Sequence, residues 1–113
     1  MVPTMIVMNY MDEANKLFLE KKFKNAIEKY ENILQKEPNN LIALNNKGYS
    51  FSKLHEYSEA LSCYDECLKK NPNDKTVLIN KISLFRKIGK LKNAMVICDE
   101  LLENNSNEMI VLY

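Results

Sequence analysis

Glycine is nearly missing from this chain: Gly48 and Gly89 are the two it has in 113 residues. No glycine-rich loop can therefore wrap a phosphate, and no strained nucleophile turn is available. Histidine is represented by His55 alone, in a polar turn where solvent exposure is the expectation. Of sixteen basic residues a single one, Arg86, is an arginine, and the bases are interleaved with acids for a formal net charge of +1. The basic footprint that nucleic acid requires is thus not present, and no nucleic-acid partner is expected. The apolar run Met5 to Met8 is far too short to span a bilayer and has no basic leader, so neither a membrane segment nor a signal peptide is expected. Three cysteines without disulfide spacing suit a reducing compartment, which with the missing leader gives a cytoplasmic location as the expectation. Cys63 and Cys67 could share a metal by spacing, but no further cysteine or histidine lies near in sequence to complete four ligands. No metal, cofactor or catalytic residue is expected, and the chain reads as a non-enzyme.

What the chain does have is a period. Ala26, Ala60 and Ala94 recur every 34 residues, in step with Tyr30, Tyr64 and Cys98 and with Pro38 and Pro72. Three copies follow, 7–40, 41–74 and 75–108, in one domain over 1–113, with a short lead and the stub 109–113. Within each copy the apolar residues fall at helical spacing in two segments, such as Leu44, Gly48 and Phe51, then Tyr57, Leu61, Tyr64 and Leu68. The second copy supplies Leu44, Gly48, Phe51, Ala60, Tyr64 and Pro72 at the offsets of the pattern W-x2-L-G-x2-Y, A-x3-F, P. On those residues the chain resembles the tetratricopeptide repeat family.

The resemblance implies an all-α, right-handed superhelical solenoid of three helix-turn-helix repeats, whose first helices line a concave side, plus a partial terminal helix begun by 109–113. Turns are expected at Glu20 to Lys24, Lys53 to Tyr57, and Lys87 to Leu91, the last with Gly89 as a permissive C-cap. Pro38 and Pro72 should end their helices, since proline cannot donate the next helical hydrogen bond. Small residues at Ala14, Gly48, Ala26 and Ala60 let paired backbones approach while Tyr10, Leu17, Phe23 and Tyr30 fill the flanks. The third copy departs from the pattern: Ile82 replaces the small residue, which should push its hairpin apart, and Ser106 replaces the proline. Apolar residues at both ends, Val2, Met5, Ile6 and Met8 and then Met109 to Tyr113, point either to a longer array or to a homo-oligomer joined through them.

A stripe on the second copy's first helix, Ile42, Asn45, Asn46, Tyr49, Ser52 and Lys53, is separate from the core stripe and should face the groove. Its counterparts are Met8, Met11, Asp12, Asn15, Phe18 and Leu19 in the first copy, and Thr76, Ile79, Asn80, Ser83, Arg86 and Lys87 in the third. The stripe grades from apolar with one acid to polar with two bases. An extended peptide or partner helix could place apolar side chains at the first copy and an acidic group near Arg86 and Lys87. Asn46 and Asn80 resemble the asparagine ladder with which some tetratricopeptide proteins hold a peptide backbone; the competing reading is that such residues are solvated or pair helices. The carboxylate clamp of chaperone-binding members is matched at Asn15 and Asn46, but Met11, Thr76 and Asn80 stand where its cations belong, so no clamp is expected. The expected function is a protein or peptide interaction module, with structural self-assembly through the apolar ends as the alternative.

Overall fold

The computed structural model describes the backbone of residues 4–112 and the side chains of residues 9–103. Six helices follow one another: α1 (Thr4–Leu19), α2 (Phe23–Lys36), α3 (Leu41–Lys53), α4 (Tyr57–Lys70), α5 (Lys75–Lys87) and α6 (Leu91–Leu112). They form three hairpins, and the first helices of the second and third, α3 and α5, also pack on the second helix of the hairpin before them. The architecture is an all-α helical repeat.

The helix ends follow from the residues that stand there. The Asn40 carboxamide oxygen accepts the Ala43 N–H at 3.0 Å and the Asp74 carboxylate accepts the Val77 N–H at 3.3 Å, so α3 and α5 begin at side-chain caps. α2 stops at Lys36 and α4 at Lys70, two residues before Pro38 and Pro72, because the residue ahead of a proline is pushed out of the helical region. The hairpin turns are tighter than the spacing alone suggests, spanning Glu20–Lys22, Leu54–Glu56 and Ile88–Lys90. All three close the same way. Lys21, His55 and Gly89 take left-handed φ values of 61°, 64° and 78°. The N–H of the following residue then reaches back to Leu17, Phe51 and Phe85 at 2.8, 2.9 and 2.8 Å, which is the Schellman arrangement. Gly89 adopts that conformation freely, whereas Lys21 and His55 each hold it at a cost on the order of 1 kcal/mol.

One expectation is corrected. α6 runs without a break through Leu112, so residues 109–112 prolong the sixth helix instead of opening a seventh. The physical reason is Ser106: where the first two copies carry a proline that stops the helix, the third carries a residue that can continue it. The side chains of the lead residues Val2 to Met8 and of Met109 to Tyr113 lie outside the described residues, and the expectation placed on them lies there too.

The core is built at the crossings of paired helices. Ala14, Ala26 and Ala60 are fully buried, and Tyr30 and Tyr64 lie beside them with almost no exposed surface. At Gly48 the approach is closest: a Cβ there would stand 2.8 Å from the Tyr64 ring and 2.9 Å from Cys63 Cβ. Ile82, at the corresponding place on α5, is half-buried and packs beside Leu78, Phe85, Ala94 and Ile97.

Gly48→Ala tests the crossing. Helix propensity alone favours alanine by about 1 kcal/mol. Overpacking against a neighbour's Cβ, which cannot swing aside, costs roughly 1–3 kcal/mol, so a net loss of about 1 kcal/mol is expected. Urea unfolding measures it, and a midpoint equal to or above that of the parent protein would show that the hairpin has slack.

Candidate functional site

Neighbouring first helices touch one another directly. The Phe18 and Tyr49 rings meet at 5.2 Å between α1 and α3, and Asn80 Nδ2 donates to Asn45 Oδ1 at 3.0 Å between α5 and α3. On the other side, crevices open between α2 and α4 and between α4 and α6. The stack therefore bends toward its first-helix side.

The residues singled out from the sequence divide into three groups there. Ile42 and Ile79 are 64% and 57% exposed, and Asp12, Ser83, Arg86 and Lys87 are exposed as well. Met11, Asn15, Asn46, Tyr49 and Asn80 are half-buried. Asn45 is buried, its oxygen spent on Asn80, so it is corrected from a groove residue to a link between helices. Asn46 and Asn80 are not free side chains either. The buried Tyr30 hydroxyl donates to Asn15 Oδ1 at 2.8 Å and accepts from Asn46 Nδ2 at 3.3 Å, joining α1, α2 and α3 at one atom. Each of the two asparagines still keeps a carbonyl oxygen and an N–H beyond these bonds. Tyr49 packs on Phe18 and Phe23, with Lys53 Nζ 5.3 Å above its ring. Arg86 and Lys87 sit apart from all of these, in the last turn of α5.

Burial governs the titratable groups of the interior. It pushes the Cys63 thiol up to about 11 and the Cys67 thiol up to about 12, and it raises both buried phenols, Tyr30 against the opposing pull of its Asn46 hydrogen bond. At neutral pH these thiols are protonated and unreactive packing groups. Among the described residues no three of histidine, cysteine, aspartate and glutamate gather into a metal cluster, and no helix is long and apolar enough to cross a membrane.

Two crevices were not foreseen. One of about 380 Å³ is walled by α2 and α4 and floored by Leu44, Lys47 and Phe51 of α3; the other, about 530 Å³, repeats it 34 residues on with Leu78, Lys81 and Phe85 of α5. Each floor lysine lies over its phenylalanine, at 6.0 and 5.6 Å, and pairs with an acid of the preceding second helix, Glu31 at 3.8 Å and Asp65 at 2.7 Å. The period carried the signal in Lys47 and Lys81. What the period could not give is the gap between hairpins that turns a repeated lysine into a lined hollow.

Residues 42–74 match the family described as tetratricopeptide repeat. The chain folds as a tetratricopeptide repeat array. Among solved structures it is similar to MamA of Desulfovibrio magneticus RS-1, residues 41 to the end, at 19% identity and a TM-score of 0.82, covering 88% of this chain and 56% of that one. It is similar to the first tetratricopeptide domain of Spaghetti (RPAP3) bound to the HSP90 peptide SRMEEVD, at 20% identity and a TM-score of 0.81, covering 90% and 81%. A third, the TPR2B domain of yeast Sti1 in complex with an Hsp70 peptide, shows 20% identity and a TM-score of 0.79 over 85% and 77%. The chain thus spans just over half of the MamA structure. No curated protein matches it.

Two outcomes are expected of this array. Tyr30→Phe and Asn46→Ala should each cost about 1 kcal/mol, and the double variant less than their sum, because both remove the same hydrogen bond. A double-mutant cycle in urea measures this, and strict additivity would place the Tyr30–Asn46 bond outside the folded state in solution. The raised thiols also set a pH dependence. A group that is harder to ionise when folded contributes its stability in full below its unfolded value, here 9.0 for a thiol, and loses it as pH rises through the folded one, about 11 to 12. Stability should hold near neutrality and fall from pH 9 upward, and Cys63→Ala with Cys67→Ala should flatten that decline.

Proposed function

We propose that the chain is a non-enzymatic, cytoplasmic protein-interaction module that lays an extended peptide or partner helix along its first-helix face. The observation that carries this is the pair Ile42 and Ile79, apolar side chains held out to solvent beside Asn46 and Asn80, which keep hydrogen-bonding capacity for a peptide backbone. Met11, Asp12, Asn15, Tyr49 and Ser83 continue the face, and Arg86 and Lys87 give one end a positive charge. Two of the similar structures are tetratricopeptide domains with chaperone peptides bound, which supports the class of partner. It does not extend to that ligand's terminal carboxylate. Met11, Thr76 and Asn80 supply no cation, so SRMEEVD should bind weakly through this face.

Peptides enriched by display selection against the full chain provide the test. Amide chemical shifts of Ile42, Asn46, Ile79 and Asn80 should move on titration, and Ile42→Ala should weaken binding about fivefold, or 1 kcal/mol, without lowering thermal stability. Arg86→Ala should weaken acidic peptides more than neutral ones, with a difference that shrinks in salt. Shifts confined to α2, α4 and α6 would overturn the assignment of the face.

A further inference from the structure

Folding sorts charges that the sequence interleaves. The hairpin turns with their flanking helix ends, 18–24, 52–58 and 86–92, stand at one repeat offset, and together they hold eight of the sixteen bases and two of the fifteen acids, Glu20 and Glu56. The first segment contributes Lys21, Lys22 and Lys24, the second Lys53, and the third Arg86, Lys87, Lys90 and Lys92, every one of them exposed. The rest of the chain is net acidic. The three segments share one edge of the stack. Phe18 and Phe23 of the first meet Tyr49, just ahead of the second, at 5.2 and 6.5 Å, and α5 lies in register beside α3, with Asn80 on Asn45. The links between hairpins gather at the opposite edge, where Lys70 Nζ donates to the Pro38 carbonyl at 3.2 Å.

Helix stability accounts for only part of this gathering. Lys53, Arg86 and Lys87 stand in last turns, where the helix dipole favours a cation. Lys24 and Lys92 stand in first turns, where it disfavours one, and neither α2 nor α6 has an acid there to offset it, whereas α4 has Glu59. Nor are the bases spent on partners. Lys22 lies 4.0 Å from Glu20 and Lys53 rests over the Tyr49 ring, and the side chains of the other six have no partner among the described residues. Leucines stand among them, Leu19 79% exposed and Leu54 37%. That exposure is not an effect of the ends of the stack: Leu54 belongs to the middle hairpin, flanked on both sides, and so does Lys53, exposed at the offset of Leu19. The composition of the edge selects among anionic partners. Seven of its eight bases are lysines, point charges without the planar fork that grips one phosphate or one base edge. Exposed leucines find no apolar phase on a nucleic acid, but at a lipid surface one lies just beneath the headgroups.

We infer that the hairpin-turn edge docks on an anionic lipid surface, with its lysines over the headgroups and Leu19 and Leu54 set between them. The inference is independent of the peptide-binding reading, and the first-helix face stays open. Arg86 and Lys87 border both surfaces, so the test leaves them unchanged.

Co-sedimentation of the full chain with vesicles of phosphatidylcholine, alone or with about 30% phosphatidylserine, tests it. The chain should bind the anionic vesicles and not the neutral ones, and added salt should release it. Lys24→Glu combined with Lys92→Glu should weaken binding about tenfold or more, and because it places acids in first turns it leaves the helices at least as stable. Lys36→Glu combined with Lys69→Glu is the control: it removes the same charge at exposed positions of the opposite edge and should keep most of the binding. The chain has no tryptophan, so Leu19→Trp supplies a single reporter whose emission should shift to the blue on anionic vesicles, while that of Ile42→Trp, on the first-helix face, should stay. Failure to bind anionic vesicles, or binding to neutral ones as tightly, overturns the inference. So does an equal loss in the control pair or an unmoved Leu19→Trp emission. Binding to polyglutamate or to a DNA duplex as tight as to vesicles overturns it as well, making the partner a soluble polyanion.

Discussion

The distance between paired helices at their crossing is the constraint from which the other contacts follow. With no side chain at Gly48, the α3 backbone comes so near α4 that even a methyl group would press on Cys63 and the Tyr64 ring. That approach fixes where Tyr64 can lie, and close alanine crossings do the same for Tyr30 of α2, since a ring of that size must run along the crossing and out toward the next hairpin. In the first copy the consequence is visible at Tyr30. Its ring is buried between alanines 14 and 26, and its hydroxyl emerges where Asn15 and Asn46 meet it. A polar atom delivered to the junction of two hairpins must be bonded there, and bonding it sets how the second hairpin sits on the first.

The 34-residue period made most of this architecture legible before any coordinates. Six helices, three hairpins, the alanine crossings and the turn at Gly89 all express a single register, and each is a local consequence of which residues recur. Other features lay beyond it for identifiable reasons. Lys21 and His55 take the same left-handed turn as Gly89, but neither residue type announces that conformation; it is imposed by the hydrogen bonds that close the turn. The asparagines on the first helices carried several meanings in sequence: recognition, solvation or helix pairing. Only the distance across helices, as between Asn45 and Asn80, decides that pairing occupies part of each. The substitution of Ser106 for a proline was readable, yet its effect, the run of α6 through Leu112, depends on the helix having nothing to stop it.

On the proposed peptide-binding reading, pairing and recognition on the first-helix face draw on the same side chains, and this has energetic consequences. A hydrogen bond between Asn46 and Tyr30 or between Asn80 and Asn45 orients the carboxamide before any ligand arrives. The remaining oxygen and N–H are then presented in a set direction, which lowers the ordering cost of binding. Ile42 and Ile79, with no such ties, offer apolar area that changes little on burial except in its contact with water. Rigid polar groups flanked by apolar ones suit a backbone ligand better than a single charged tip, in keeping with the lack of cations at Met11, Thr76 and Asn80.

The two ends of the stack are chemically unlike, and the same repeat offsets explain both. Where α3 and α5 carry Ala43, Val77 and Leu84 to cover the helix before them, α1 carries Asn9 and Lys16, residues at home in water. Where α2 and α4 hide their rows under the next hairpin, α6 leaves Leu91, Met95 and Leu102 uncovered. A periodic structure that placed identical residues at every repeat would be sticky at both ends and would grow without limit. Asn9, Asp12 and Lys16 of α1, exposed among the described residues, work against that route. The row on α6, Leu91, Met95, Cys98 and Leu102, has the same steps of four, three and four residues as those on α2 and α4, which a following first helix covers with Ala43, Val77 and Leu84, so it has the form of a surface that one more helix of that kind would bury.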